Sequence, residues 1–301
     1  MIQSEPAADQ PIFVRGLSRS GGTLMVTILD AHPDVAMSYE LYPTLLEPAA
    51  AEKAPREILR GLLKAKPTAS VRKLANARGW QTFLGRCARG GLTFGDVGNL
   101  LEQHLDAGEG FEAVGERLRF IERCCLLKMQ RYGKKTWGLK CNNRYSDYLD
   151  QWPEARFVNM IRDGRDVLAS QLSTGAFNKD PAGLAMSWLN THRSFLALRE
   201  QIGDRAVPVI YEHLAKHPAE ETANILTRLG LCHDPGILDY HKQDLTIYRA
   251  SHLSLAEVSK PVNASKVGRW MQDLTADQVA AFETVAGDLL EELGYQRASA
   301  C

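Results

Sequence analysis

The sequence predicts an α/β fold, a parallel sheet with helices on both faces plus a helical insertion, and three observations predict it. Short apolar runs alternate with segments of helical spacing, each run bounded by polar residues, as strands buried between two helix layers require. A glycine-rich turn joins the first apolar run to the first helical segment. One long stretch, from about residue 44 to 135, is rich in Ala, Lys, Arg and Leu and contains no strand pattern, so it reads as the insertion or lid. A chain of 301 residues, 45% of them hydrophobic, can bury a substantial core, and residues 1–301 are read as one domain.

Composition narrows the functions. Lys plus Arg and Asp plus Glu number 36 each, so no global field favours nucleic acid or an anionic membrane, and an anion site must come from local placement. The longest apolar runs fall short of a membrane span, and MIQSEPAADQ at the start has neither a basic flank nor an apolar core. Cys87, Cys124, Cys125, Cys141, Cys232 and Cys301 follow no metal-ligand spacing and are too few for a disulfide framework. The expectation is a cytoplasmic protein with free thiols.

Taken in order, residues 1–10 form a tail and Ile12 to Val14 the first strand. Gly16-Leu-Ser-Arg19-Ser20-Gly21-Gly22-Thr23 follows, and then Leu24, Met25, Ile28 and Leu29 share a helical face until Pro33 stops it. A strand, glycine loop and helix in that order resemble a P-loop, in which backbone N–H groups and the helix N-terminus collect anionic oxygens. A nucleotide kinase would need Lys immediately before Thr23 to reach the transferred phosphate. Gly22 stands there, and the nearest cation is Arg19, so magnesium–ATP chemistry is disfavoured.

In the insertion Lys64, Lys66, Arg72, Lys73, Arg78, Arg86 and Arg89 read as solvated helix faces rather than a site for an acidic acceptor. Residues 112–132 form a helix with Leu118, Ile121, Cys125 and Met129 as its core stripe. Strands follow at Thr136–Leu139, Arg156–Ile161 and Ala206–Ile210, and the residues that end them are Lys140, Arg162 and Tyr211. In open parallel sheets the ligand crevice lies outside the carboxyl ends of the strands, so these residues and the glycine loop converge on one edge. Arg162 offers a bidentate fork and Ser170 a hydroxyl eight residues on, which suits a phosphate; ion pairs of Arg162 with Asp166, or of Asp163 with Arg165, are the alternative use of the same residues. The last helix starts with a capping box at Thr275 and Gln278, runs through Val279, Phe282, Ala286, Leu289, Leu290 and Leu293, and stops at Gly294.

GLSRSGGTLM with LDAHPDV, VNMIRDGRDVLAS, and Ser254-Leu-Ala-Glu-Val-Ser-Lys260-Pro261-Val262-Asn263 before Arg269-Trp270 resemble, in order and spacing, the donor segments of sulfotransferases that use 3′-phosphoadenosine 5′-phosphosulfate. The tyrosylprotein branch is the nearest in pattern. The resemblance implies that Arg19, Ser20, Gly21, Gly22 and Thr23 hold the 5′-phosphosulfate and Arg162 and Ser170 the 3′-phosphate. It implies that Tyr211, Ser254, Lys260, Pro261, Val262, Asn263 and Arg269 line the nucleotide, that 3′-phosphoadenosine 5′-phosphate is the product, and that no metal takes part. It places the catalytic carboxylate at Glu40, acting as general base, with Arg19, Lys140 and Ser254 stabilising the charge that develops. His32 is the next candidate base, although beside Pro33 it reads as a cap on the helix end. Burial would raise the Glu40 pKa.

Departures concern the acceptor. Tyr42 and Leu46 stand where the tyrosylprotein enzymes carry arginines that read acidic peptides, Thr174 replaces a further arginine, and the family's lumenal cysteines have no counterpart. The expected acceptor is therefore a hydroxyl on peptidyl tyrosine, a sugar or lipid, or a small phenol or alcohol, with no nucleic-acid or membrane-spanning role and the oligomeric state open. A P-loop small-molecule kinase and a non-catalytic nucleotide-binding module are the competing readings.

Overall fold

The computed structural model describes residues 10–48, 54–66, 69–75, 78–142, 144–175, 180–244, 247–248 and 251–298. Five strands, β1 (Ile12–Arg15), β2 (Val35–Ser38), β3 (Thr136–Lys140), β4 (Arg156–Ile161) and β5 (Ala206–Ile210), form one sheet in the order β2-β3-β1-β4-β5. Every pairing is parallel, with Phe13 opposite both Leu139 and Phe157 at the centre. Four of these strands match expectation, with β1 and β3 each one residue longer. The fifth, β2, is a four-residue edge strand between the Pro33 turn and Glu40 that sequence reading passed over.

The helices are α1 (Gly22–Asp30), α2 (Pro55–Leu63), α3 (Val71–Leu74), α4 (Arg78–Arg89), α5 (Phe94–Asp106), α6 (Val114–Arg131), α7 (Tyr145–Gln151), α8 (Gly164–Thr174), α9 (Pro181–Ile202), α10 (Tyr211–Lys216), α11 (Pro218–Arg228), α12 (Leu255–Val258), α13 (Trp270–Asp273) and α14 (Ala276–Glu292). Side-chain alternation along β1 divides them into two layers. Ile12 and Val14 join Met25, Ile28, Val209 and Leu226 in the core beneath α1 and α11. Phe13 faces the other way, where the Trp137, Tyr148, Trp152 and Phe157 rings lie 4.8 to 6.0 Å from it. The insertion extends that second core, with Trp80, Phe83, Phe111 and Phe120 all buried on one another. A third cluster, Val167, Trp188, Phe282 and Leu290, binds α8 and α9 to α14.

Local chemistry sets the helix ends that matter to the edge of the sheet. Asp163 caps α8 by accepting from the Arg165 N–H at 2.9 Å, and Gly175 at φ 64° ends it. Thr275 and Gln278 form the reciprocal capping box at the start of α14. Among the described residues no helix is long and apolar enough to cross a membrane.

Candidate active site

Each strand delivers a candidate residue at its carboxyl end. β1 leads into the loop 16–21, β2 into Tyr39 and Glu40, β3 ends on Lys140, β4 is followed by Arg162, and β5 by Tyr211. The glycine loop turns tightly, the Ser20 N–H donating to the Leu17 carbonyl at 2.9 Å. Gly21 sits at φ 96°, and a Cβ there would come within 2.8 Å of the Tyr211 ring, so only glycine suits both the backbone and the space.

Two cavities meet at this edge. The first, about 330 Å³, is walled by the loop and α1 start (Arg19, Gly21, Gly22, Thr23), by Arg162, Ser170 and Tyr211, and by Ser254, Pro261, Val262, Asn263 and Arg269. The second, about 380 Å³, shares Arg19, Thr23, Lys140 and Ser254 with the first and adds Glu40, Tyr39, Arg86, Arg89, Tyr248 and His252. Lys140 lines both.

At the first cavity Arg19 donates from Nε to Ser170 Oγ and from Nη1 to Ser254 Oγ, both at 3.0 Å, so one guanidinium ties three separated segments together. Arg162 donates to the Arg19 carbonyl at 3.0 Å and to the Lys266 carbonyl at 2.5 Å, with its guanidinium 4.5 Å from the Tyr211 ring centroid. Burial, then the charge of Arg162, lowers the Arg19 pKa, as expected where cations gather around room for an anion. Ser20 Oγ and Arg162 Nε are buried without a hydrogen-bond partner. Of the two residues Arg162 lines the cavity, where an unpaired guanidinium nitrogen near Arg19 fits a ligand that brings anionic oxygens, while Ser20 is not on the wall.

The alternative ion pairs are present as well. Arg162 lies 3.7 Å from Asp166, and Arg165 pairs with Asp163 at 2.7 Å and Glu283 at 2.8 Å. The motif thus divides its labour, Arg162 facing the cavity while Arg165 fastens α8 to α14. Lys260 is exposed and off the cavity wall, its carbonyl accepting from Tyr240 Oη at 2.6 Å, whereas Lys266 takes a place on that wall. Arg269 lines the cavity while pairing with Asp273.

Glu40 lines the second cavity beside Lys140. Its Oε1 accepts from Lys140 Nζ at 2.8 Å and its Oε2 from Arg86 Nη2 at 2.9 Å. Burial pushes the carboxyl pKa up, but Lys140 and Arg86 outweigh it, so the group is held below the ordinary range rather than raised. Its neighbour Tyr39 is pushed up by burial and by the Glu40 charge, and its hydroxyl meets His252 Nε2 at 2.7 Å. His32 is elsewhere: fully buried, it bridges the Cys232 carbonyl and the Asp34 N–H, so both ring nitrogens are engaged and it closes a turn instead of capping a dipole. Leu46 is a core residue, and Tyr42 packs under Arg86, 5.7 Å from its guanidinium.

Arg86 and Arg89, expected on a solvated face, instead reach the second cavity with Thr82 of the same helix. Their spacing on α4 carried a faint signal, since positions 82, 86 and 89 share one helical face, but nothing local shows what that face meets. Thr174 bonds back to the Gln171 carbonyl at the end of α8.

A model of the sulfotransferase family matches residues 11–235. Protein-tyrosine sulfotransferase A of Caenorhabditis elegans is 27% identical over 94% of this chain and 67% of its own length. Protein-tyrosine sulfotransferase 1 of Danio rerio is 28% identical over 95% of this chain and 73% of its own. Among solved structures, the sulfotransferase domain from the Synechococcus PCC 7002 olefin synthase superposes with a TM-score of 0.59 at 19% identity, covering 95% of this chain and 98% of that domain. That last likeness concerns the fold.

Proposed function

Because the chain belongs to the sulfotransferase family, we propose that it moves a sulfuryl group from 3′-phosphoadenosine 5′-phosphosulfate to an acceptor hydroxyl, with Glu40 as the general base. The observation that carries the reading is the place of Glu40 on the wall of the second cavity, bonded at 2.8 Å to Lys140, which lines both.

The first cavity suits the donor. Its two anionic ends need two cation-lined places, and the Arg19 loop and Arg162 with Ser170 supply them. When bound, the donor supplies the activated sulfuryl group. Arg19, Lys140 and Ser254 lie where charge would build on the leaving phosphate oxygen, and donors already fixed in place stabilise such charge without reorganising. Glu40 faces the second cavity, where it would take the proton of an attacking hydroxyl. The insertion, through Thr82, Arg86 and Arg89 of α4, contributes part of the wall of that acceptor space. Among hydroxyls a phenol comes first, supported by the relatives' protein-tyrosine names and by the aromatic faces of Tyr39, Tyr248 and His252. A reducing, cytoplasmic setting suits Cys87, Cys124, Cys125 and Cys141, four buried thiols without disulfides.

Calorimetry with adenosine 3′,5′-bisphosphate in EDTA, beside ATP with magnesium, tests the donor site. Bisphosphate binding without added metal supports the sulfotransferase, and preference for magnesium–ATP returns the kinase. Transfer of labelled sulfate to a phenol panel then tests turnover; tight bisphosphate binding with no acceptor sulfated from any hydroxyl class would leave a binding module.

A further inference from the structure

Glu40 is held from the insertion as well as from the sheet. Arg86 in α4, 46 residues further along the chain, donates from Nη1 to the Glu40 backbone carbonyl and from Nη2 to Oε2 at 2.9 Å. The same guanidinium lies 6.0 Å and 5.7 Å from the ring centroids of Tyr39 and Tyr42, the residues that bracket Glu40 and Leu41. Glu40 has φ 52°, a left-handed conformation that a non-glycine residue keeps only when its surroundings over-determine it. A planar fork gripping the carbonyl and the carboxylate of one residue fixes both its backbone and its χ angles. A point charge could not do both.

We propose that Arg86 is a positioning residue for sulfuryl transfer: reaching in from the insertion, it locks the backbone and one carboxylate oxygen of Glu40, leaving the other oxygen on Lys140 and the carboxylate turned to the acceptor cavity. The inference rests on Glu40 being the base. A carboxylate has about four lone-pair sites, so two bonds leave room for the acceptor proton. The arrangement also makes the insertion part of the catalytic apparatus, because any shift of α4 is transmitted to the base through one side chain.

A purely architectural ion pair would also join α4 to the sheet, so the test needs a readout that such a role would not move. The groups facing Glu40 are Lys140 from the end of β3, Arg86 from α4, and Tyr39 and Tyr42 beside it in the chain. Arg19, Arg89, Tyr248 and His252 also line the acceptor cavity. Removing the Arg86 charge while Lys140 remains must raise the Glu40 pKa, so the acid limb of kcat moves to higher pH.

The experiment measures kcat against pH at saturating donor, and bisphosphate affinity by calorimetry, for the full-length wild type, Arg86→Gln, Arg86→Lys and Glu40→Gln. In Arg86→Gln the acid limb is expected at higher pH and the plateau lower by roughly 10- to 100-fold, the scale of a misplaced catalytic group, with bisphosphate affinity unchanged. Arg86→Lys, which keeps charge and bulk should the glutamine variant not fold, is expected to hold the limb near its wild-type place while the plateau stays low. A wild-type limb and plateau in Arg86→Gln, or a loss of bisphosphate affinity equal to the loss of turnover, overturns the inference. If Glu40→Gln loses the limb while Arg86→Gln leaves it unmoved, only the role of Arg86 falls. If Glu40→Gln keeps the limb, the base assignment falls and this inference with it.

Discussion

Two non-glycine residues among those described have a left-handed backbone, Arg19 at φ 79° and Glu40 at φ 52°, and both line the second cavity, Arg19 the first as well. Strain of about 1 to 3 kcal/mol at such positions persists where the surroundings impose it, and it collects at sites that need fixed geometry. For Glu40 the consequence is testable by an isosteric change. Glu40→Gln keeps the shape but cannot accept a proton, so turnover should fall by ~10²–10⁴-fold while bisphosphate affinity stays close to wild type. Equal losses in both would make Glu40 a loop anchor. The pH profile carries a sign: Lys140 and Arg86 outweigh burial and depress the Glu40 pKa, so the carboxylate stays ionised below the ordinary range of Glu. Activity should therefore persist through pH 4.5, the ordinary value, and be lost only as pH falls through the depressed one. An acid limb near neutrality that Glu40→Gln abolishes would contradict the depression. Arg162→Ala removes a charge-assisted fork worth about 1.5 to 3 kcal/mol, and bisphosphate affinity should drop roughly 10- to 150-fold by calorimetry. Unchanged affinity would move the 3′-phosphate elsewhere.

Among the elements, the β1–α1 loop is the one most tightly specified by its residues. Gly21→Ala forces a Cβ into a left-handed position and against the Tyr211 ring, at a cost of about 1 to 2 kcal/mol for the backbone alone. A lower melting temperature and weaker bisphosphate binding are both expected; a variant that binds as well as wild type would show that the loop can relax. This loop, the β4–α8 junction, α6 and α14 were legible in the sequence because each is written locally, in a glycine pattern, a strand-ending arginine, an apolar stripe or a cap. β2 was not, since four residues at a sheet edge, Val35–Ser38, show too short a pattern to separate from the turn before them. Arg86 was visible as a cation but not as a partner of Glu40, because 46 residues and a folded insertion stand between them. Lys260 and Lys266 are likewise indistinguishable by spacing, and only the course of the exposed segment puts Lys266 on the wall.

For the molecule as a whole, the open question is what keeps the segment after residue 251, far along the chain from the glycine loop, closed over the first cavity. Asp166 does much of this. Fully buried in α8, it accepts from the Gly268 N–H at 2.8 Å and the Trp270 N–H at 2.9 Å while lying 3.7 Å from Arg162. Arg165 reinforces the same junction, its guanidinium 3.9 Å from the Trp270 ring and bonded to Glu283 of α14. Donor affinity should thus depend on a residue that lines neither cavity. Asp166→Asn keeps one acceptor oxygen and should lose one backbone bond; Asp166→Ala loses both and leaves two N–H groups to find water. At about 1 to 3 kcal/mol for an unsatisfied buried partner, bisphosphate affinity should fall stepwise, to roughly 5- to 150-fold below wild type in Asp166→Ala. Glu40, Lys140 and Arg86 are held by other contacts, so turnover at saturating donor should change by only a few-fold. Bisphosphate should also restore much of the lost melting temperature, because a ligand that binds only the closed form stabilises it by mass action. Equal bisphosphate affinity across the three proteins would mean that the segment closes on the ligand unaided, and that Asp166 serves only the packing of α8 beneath it.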